Sequence, residues 1–288
     1  MATSSSMKGR ICLITGASGG IGKETAVALA KLGATVVMVS RDSERGKAAL
    51  ADVRRRSGGS NNVHLMLADL ASLQDVRSLA SEFQQGHQQL HVLVNNAGAL
   101  NSKLSLTKDG FETTFGVNHL AHFLLTSLLL DLLKTSAPAR IVNVSSSAHT
   151  RGAIDFDGLR GERKYAGIAA YSQSKLANVL FSNELARRLE GTGVTANSLH
   201  PGVIRSGFGH NNSGIWGALF GVFHAVARPF LLTPEQGAQT SIYLASSPDV
   251  EGVTGKYFAK SKQTQSSDRS HDTDLAQRLW QVSEELTK

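Results

Sequence analysis

The 288 residues are 41% hydrophobic, 18% charged and 6% aromatic, a balance that excludes a disordered or collagen-like chain and allows one large α/β core. Lys and Arg number 30 against 23 Asp and Glu, leaving +7, so an anionic ligand or acidic partner enters consideration. No block of five like charges occurs, and the densest basic run, Arg54-Arg55-Arg56, closes a predicted helix. Nucleic acid is therefore not expected as a partner. A single cysteine, Cys12, excludes a disulfide framework and a Cys-based zinc site, and suits a reducing compartment. The polar start, 1–10, has no signal-peptide core, and no window of 18 uninterrupted apolar residues follows. A soluble, cytoplasmic protein without a transmembrane anchor is expected.

In chain order, a tail over 1–8 leads into an apolar run at 11–15 and a helical pattern at 20–32. Strand 35–40, helix 42–56, strand 64–68 and helix 73–84 follow, then strand 91–94, helix 107–134 and strand 141–144. Helix 169–189, strand 194–199, helix 234–245 and strand 255–258 complete the alternation, with a further helix at 272–286 packed outside. Such alternation builds a doubly wound, seven-stranded parallel sheet with helices on both faces, a single-domain Rossmann fold over 9–288. Two segments break the pattern: a charged, Gly-rich insertion at 150–167, and a Gly-rich, apolar stretch at 206–233. Both follow strands and so lie at the carboxyl edge, where open α/β sheets bind ligands. Within the second, 215–232 is apolar apart from His224, Arg228 and Pro229. It reads first as a lid over an apolar substrate, and otherwise as an amphipathic segment in peripheral contact with a membrane or as an interface.

Directly after the first strand comes Thr15-Gly16-Ala17-Ser18-Gly19-Gly20-Ile21-Gly22. A glycine turn opening a helix brings backbone N–H groups and the helix N-terminus close to a pyrophosphate. The second strand ends in Ser40-Arg41 where an acidic residue would accept the ribose hydroxyls of NAD. A guanidinium there suits a 2′-phosphate, so NADP(H) is preferred, while Asp42 leaves NAD(H) open. Tyr171 and Lys175 lie four apart on one helix face, and an ammonium can lower a phenol from its usual value of ~10. Ser145 and Ser146 end a strand at the carboxyl edge, where a hydroxyl can donate to a carbonyl oxygen as charge develops. His119 and His122 are spaced to share a helix face, but no third ligand accompanies them, so no metal is expected and packing histidines are the reading.

Together these motifs resemble the short-chain dehydrogenase/reductase family. The resemblance runs from the 15–22 turn through Asn95-Asn96-Ala97-Gly98, Asn118, Ser146, Tyr171-Ser172-Gln173-Ser174-Lys175 and Pro201-Gly202. It is closest to the retinol-dehydrogenase-like subgroup, carried by Gly116-Val117-Asn118-His119-Leu120-Ala121-His122-Phe123, by Arg140-Ile141-Val142-Asn143-Val144-Ser145-Ser146, and by Ser174-Lys175-Leu176-Ala177-Asn178. Unlike that subgroup, the chain is expected to have no N-terminal membrane anchor. The resemblance implies an NADP(H)-dependent interconversion of an apolar ketone or aldehyde with its alcohol by hydride transfer.

It further implies that Tyr171 is the general acid/base, that Lys175 lowers its pKa and holds the nicotinamide ribose, and that Ser146 polarises the substrate oxygen. Asn118 would interrupt its helix and anchor a water chain to Lys175. Cofactor contacts are implied for Gly16, Ser18, Gly20, Ile21, Gly22 and Arg41; for Asp69 and Leu70 beside the adenine; for Asn95, Ala97 and Gly98 in the central cleft; and for Pro201, Gly202 and Val203, the last through its backbone. Relatives usually associate through helices equivalent to 107–134 and 169–189, so a homodimer or homotetramer is expected. A catalytically silent NADP(H)-binding sensor on the same fold is the alternative, and the four-residue set Asn118, Ser146, Tyr171 and Lys175 argues against it.

Overall fold

The computed structural model describes residues 6–161, 164–204 and 231–288. The expected lid at 206–233 lies outside the described residues except for its last three. Seven strands run parallel: β1 (Ile11–Thr15), β2 (Thr35–Ser40), β3 (Val63–Leu67), β4 (Val92–Asn95), β5 (Ala139–Val144), β6 (Val194–His200) and β7 (Tyr257–Ala259), in the order β3-β2-β1-β4-β5-β6-β7. The α/β, doubly wound expectation holds, and the sheet gains one strand. β8 (Lys262–Thr264) pairs antiparallel with β7 across Lys260 and Ser261, whose φ values are 52° and 58°. Two positive φ values make the tight turn that a two-residue hairpin needs, and here non-glycine residues supply them. Nothing in Lys-Gln-Thr marks an apolar strand.

Alternate residues of β1 feed two cores. Cys12 and Ile14 face α1 (Gly20–Lys31) and α2 (Ser43–Arg56), with α8 (Pro234–Ser246) on the same side. Leu13 faces α3 (Leu73–Gly86), α5 (Ala121–Leu128) and α7 (Gly167–Arg188). With both faces covered, the strands carry nearly continuous apolar residues, as parallel sheets require. Side chains close the helix starts as the sequence suggests: Asp42 accepts from the Arg45 N–H at 2.8 Å, and Thr233 with Gln236 forms a reciprocal box ahead of α8. The chain winds outward from β1 to β3 and returns to β4 on the other side of β1. That reversal opens a crevice at the carboxyl ends of β1 and β4.

The helix expected over 107–134 is divided. Gly110 takes φ +80°, the Thr107 N–H donates to the Phe111 carbonyl, and the Glu112 carboxylate accepts from the Thr114 and Phe115 N–H groups, so α4 (Thr113–Phe115) starts six residues late. A π-turn, Gly116–Leu120, then runs into α5, and α6 (Leu130–Thr135) follows a break at Leu129. A Cβ on Gly116 would meet Thr107 Cγ2 at 2.5 Å, so the widened turn needs glycine there.

One other expectation changes, and the basic run finds its partners. The tail ends earlier than residue 8, because Met7 is buried and its N–H donates to the Leu32 carbonyl at 2.8 Å. The basic run is spent within the chain: Arg56 makes a bidentate pair with Glu24 at 2.7 and 2.6 Å, Arg55 reaches Asp52, and Arg54 donates to the Val63 carbonyl.

The last helix, α9 (Thr273–Leu286), packs on α7. Trp280 lies over Phe181 and edge-on to Phe123, with the Arg188 guanidinium 4.2 Å from its ring. α9 thereby covers part of the α5 and α7 surface through which association was expected. Truncating Trp280 to Ala should lower unfolding stability by about 3 kcal/mol in urea titration. A loss under 1 kcal/mol would show that α9 is not anchored by this ring.

Candidate active site

β1 delivers Thr15 to the crevice, and the chain turns at Gly16 (φ +66°) and Gly20 (φ +53°) into α1. A Cβ on Gly16 would sit 2.8 Å from Ala97 Cα, and one on Gly22 2.4 Å from Asn96 Nδ2 and 2.6 Å from the Gly16 carbonyl. Gly19 faces open space. The N-terminus of α1 has no side-chain cap and no acidic residue in its first turn. Its N–H groups and dipole therefore remain for an anion, and the cradle fits a dinucleotide pyrophosphate.

Arg41 is exposed and, among the described residues, pairs with no carboxylate. Asp42 is spent on capping α2. Asp69 Oδ1 accepts from the Ala71 N–H, and the Leu70 side chain belongs to the core, so this pair can border a ligand only through its backbone and the Asp69 edge. Gly202 takes φ +93°, and a Cβ there would strike Leu232 at 2.4 Å. The Val203 carbonyl accepts from the Leu232 N–H at 2.9 Å.

Asn95 does not line the cleft with its side chain. It is buried, and Nδ2 donates to Asn143 Oδ1 at 2.8 Å and to Thr126 Oγ1 at 3.0 Å. Its neighbour Asn96 shapes the cradle instead, donating to the Thr15 and Gly16 carbonyls at 2.8 and 3.3 Å. Alternation at the end of β4 sends one asparagine inward and the next over the glycine turn, a distinction that the doublet alone does not reveal.

Ser146, Tyr171 and Lys175 meet beyond β5. The Ser146 side chain lies near Tyr171 and favours the ionised phenol, and its oxygen accepts from the Ala148 N–H at 3.2 Å. Ser145 points inward, its hydroxyl donating to the Lys175 carbonyl at 2.7 Å. Lys175 is buried; its Nζ donates to the Val144 carbonyl at 3.0 Å and stands 5.6 Å from the Tyr171 ring centre. Burial pulls the ammonium down to about 8. The expected lowering of Tyr171 is not present in the protein alone. Burial of the phenol pushes it above its ordinary value, and the nearby Ser146 hydroxyl works the other way. Lys175 spends a proton on Val144 rather than on the phenol oxygen.

Asn118 sits in the π-turn, fully buried. Its Oδ1 accepts from the Ala99 N–H at 2.7 Å, and Nδ2 donates to the Ala99 carbonyl and to Ser174 Oγ at 3.0 and 2.9 Å. The side chain thus clamps the loop after β4, and its main-chain carbonyl accepts from His122 Nδ1 at 3.1 Å. The two histidines separate: His119 bonds Ser283 of α9 at 2.8 Å, whereas His122 bonds Thr15 Oγ1 at 2.9 Å. Burial draws His119 down to about 3 and His122 to about 4, leaving both neutral. The insertion at 150–167 packs on α7 through Gly152, whose Cβ would meet the Ser172 carbonyl at 2.5 Å. It reaches the loop after β4 through Tyr165, which donates to the Asn101 carbonyl.

A nucleotide cradle at the sheet switch point beside a Ser–Tyr–Lys cluster defines a nicotinamide-dependent oxidoreductase. The family model described as short chain dehydrogenase matches residues 10–214, and the chain belongs to that family. It is 47% identical to human retinol dehydrogenase 14 over 290 residues, covering 96% of this chain and 86% of the relative. Mouse retinol dehydrogenase 12 is 46% identical, with 99% and 88% covered. Among solved structures, an uncharacterized protein from Mycobacterium Paratuberculosis matches with TM-score 0.79 at 35% identity, covering 99% of this chain and 95% of that one. The RhlG/NADP active-site complex of Pseudomonas aeruginosa matches with TM-score 0.67 at 28% identity, with 90% and 97% covered. The protein is an NAD(P)-dependent oxidoreductase of retinol-dehydrogenase-like sequence.

Gly22→Ala tests the cradle. The added methyl displaces Asn96 or the Gly16 carbonyl, so the NADPH Kd from fluorescence titration should rise about tenfold or more while the fold persists. An unchanged Kd would remove the cradle from the binding site.

Proposed function

We propose that the protein is an NADPH-dependent reductase of apolar carbonyl compounds of the retinal type, also able to run the reverse oxidation. The observation that carries this reading is the meeting of Ser146, Tyr171 and buried Lys175 beyond β5, with the Lys175 Nζ 5.6 Å from the Tyr171 ring centre. Bound NADPH would supply the hydride, which the chain itself lacks. Two hydroxyl groups then converge on one substrate oxygen: Ser146 orients and polarises it, and Tyr171 delivers the proton as the alcohol forms. Lys175 holds positive charge beside the phenolate that remains. Ser174 and Asn118 fix the start of that helix turn, since Ser174 donates to the Tyr171 carbonyl at 2.8 Å and accepts from Asn118.

NADP(H) rather than NAD(H) is supported by Arg41 at the end of β2, which among the described residues pairs with no carboxylate, and by the commitment of Asp42 to its helix. An apolar substrate is supported by exposed Leu104, Leu106, Ile168 and Val203, all past the carboxyl ends of the strands, and by the substrate in the relatives' names. No helix among the described residues is long and apolar enough to cross a membrane. A cytoplasmic setting belongs to the same proposal, supported by the unpaired, buried Cys12 thiol. So does association of copies, with α9 narrowing the surface left for it on α5 and α7.

Three measurements test this. Tyr171→Phe should abolish reduction of retinal and of aliphatic aldehydes while NADPH still binds; near wild-type turnover would end the assignment. Arg41→Ala should raise the NADPH KM well above any change for NADH, and equal effects would sink the preference. The Lys175 ammonium is present below about 8 and lost above it. Reduction should therefore slow as pH rises through about 8, and a rate flat to pH ~10 would deny Lys175 its role.

A further inference from the structure

His122 is a buried ionisable side chain that the proposed chemistry does not use. A ring in this position needs only to fill space, and an apolar residue would do so without the cost of burying two polar nitrogens. Its partners explain why an imidazole stands there. The Asn118 main-chain oxygen can only accept, so Nδ1, at 3.1 Å, carries the proton. In the neutral ring Nε2 then accepts, and the group 2.9 Å away is the Thr15 hydroxyl. That hydroxyl is thereby committed to His122 in preference to the Val94 carbonyl at 3.4 Å. Its oxygen is left to accept from the Asn96 and Ala97 N–H groups at 2.9 and 3.0 Å.

We infer that His122 is a positioning residue: as a neutral imidazole protonated on Nδ1, it couples the cofactor cradle at Thr15 to the Asn118 main chain beside the catalytic cluster. The bonds form one connected path. Asn96, held by Thr15, fastens the Gly16 turn from one side. His122 links Thr15 to Asn118, Asn118 holds Ser174, and Ser174 holds the Tyr171 carbonyl. A shift of the glycine turn on binding a dinucleotide therefore reaches the helix turn carrying the general acid. The ionisable groups facing His122 are Lys175 and His119. Burial and the Lys175 charge both oppose its protonation, so the tautomer that the path requires persists at neutral pH.

This inference rests on reading the glycine turn as a dinucleotide site, and the experiment separates the two. In ¹⁵N-histidine spectra of the cofactor-free protein, His122 should show a protonated Nδ1 and an unprotonated Nε2, with no titration down to pH ~5. A ring protonated on Nε2, or titrating near pH ~6.5, would overturn the assignment whatever the protein binds. His122→Phe keeps the ring volume and removes both bonds, so kcat should fall and the NADPH KM rise, each about tenfold. His122→Asn keeps a donor within reach of the Asn118 carbonyl and nothing at Thr15. It should recover kcat while the NADPH KM stays raised, a split that a merely space-filling role would not produce. Folded variants with kcat and KM both unchanged, or a pair losing both equally, would refute the coupling. Wild-type protein that binds no NADPH would refute the cradle reading instead, and the imidazole spectra would still decide the bridge.

Discussion

The site depends on how closely the chain leaving β1 approaches the chain leaving β4. Gly16 lies against Ala97, and Gly22 against Asn96, with no room for a methyl group at either. The Thr15 hydroxyl holds that approach together by accepting two backbone N–H groups from the second chain. A parallel sheet that reverses its winding between these strands leaves a crevice there and nowhere else along the edge. Backbone N–H groups consequently face the crevice at short range, and an anionic ligand can be bound with few side chains. This explains how a surface without concentrated basic charge can serve a dinucleotide.

The proton-transfer side of the crevice obeys a different constraint. Lys175 is an ammonium placed where water is excluded, and its burial lowers its proton affinity toward neutrality. Such a charge is tolerated because the Val144 carbonyl accepts from it, and Asn178 shares that carbonyl at 3.3 Å. Tyr171, raised by burial, is a phenol in the resting protein and not a phenolate. A neutral acid poised beside a hydroxyl suits carbonyl reduction, which consumes a proton at the substrate oxygen. Bound ligand would change the electrostatics on the open face of this cluster, but the buried face is set by the fold.

Much of this was legible in the order of residues. Alternating apolar strands and amphipathic helices follow directly from burial on both faces of a parallel sheet. The glycine turn, Asn118, Ser146, Tyr171 and Lys175 stand in motifs whose spacing implies one family. Failures cluster where local pattern and tertiary contact diverge. The helix from 107 looked continuous because its apolar periodicity persists through Gly110, yet a left-handed glycine and the Glu112 cap restart it at Thr113. β8 was hidden because its residues are exposed and its turn uses positive φ at Lys260 and Ser261. The sense in which Asn95 and Asn96 point, one inward and one over the cradle, depends on the twist and register of β4 against β5.

The sequence by itself determined the fold class, the family and the identity of the chemical groups at the site, because these follow from periodicity and from short motifs that local backbone geometry enforces. Only the tertiary structure decided that Ser145 bonds to the Lys175 carbonyl, that Lys175 bonds to Val144 instead of the phenol, and that His119 and His122 bond to different elements, α9 and the end of β1. Those outcomes rest on hydrogen bonds between residues 30 to 164 positions apart. Such partners are selected by packing in a dry interior, where each buried donor or acceptor must find a mate, and no local pattern names it.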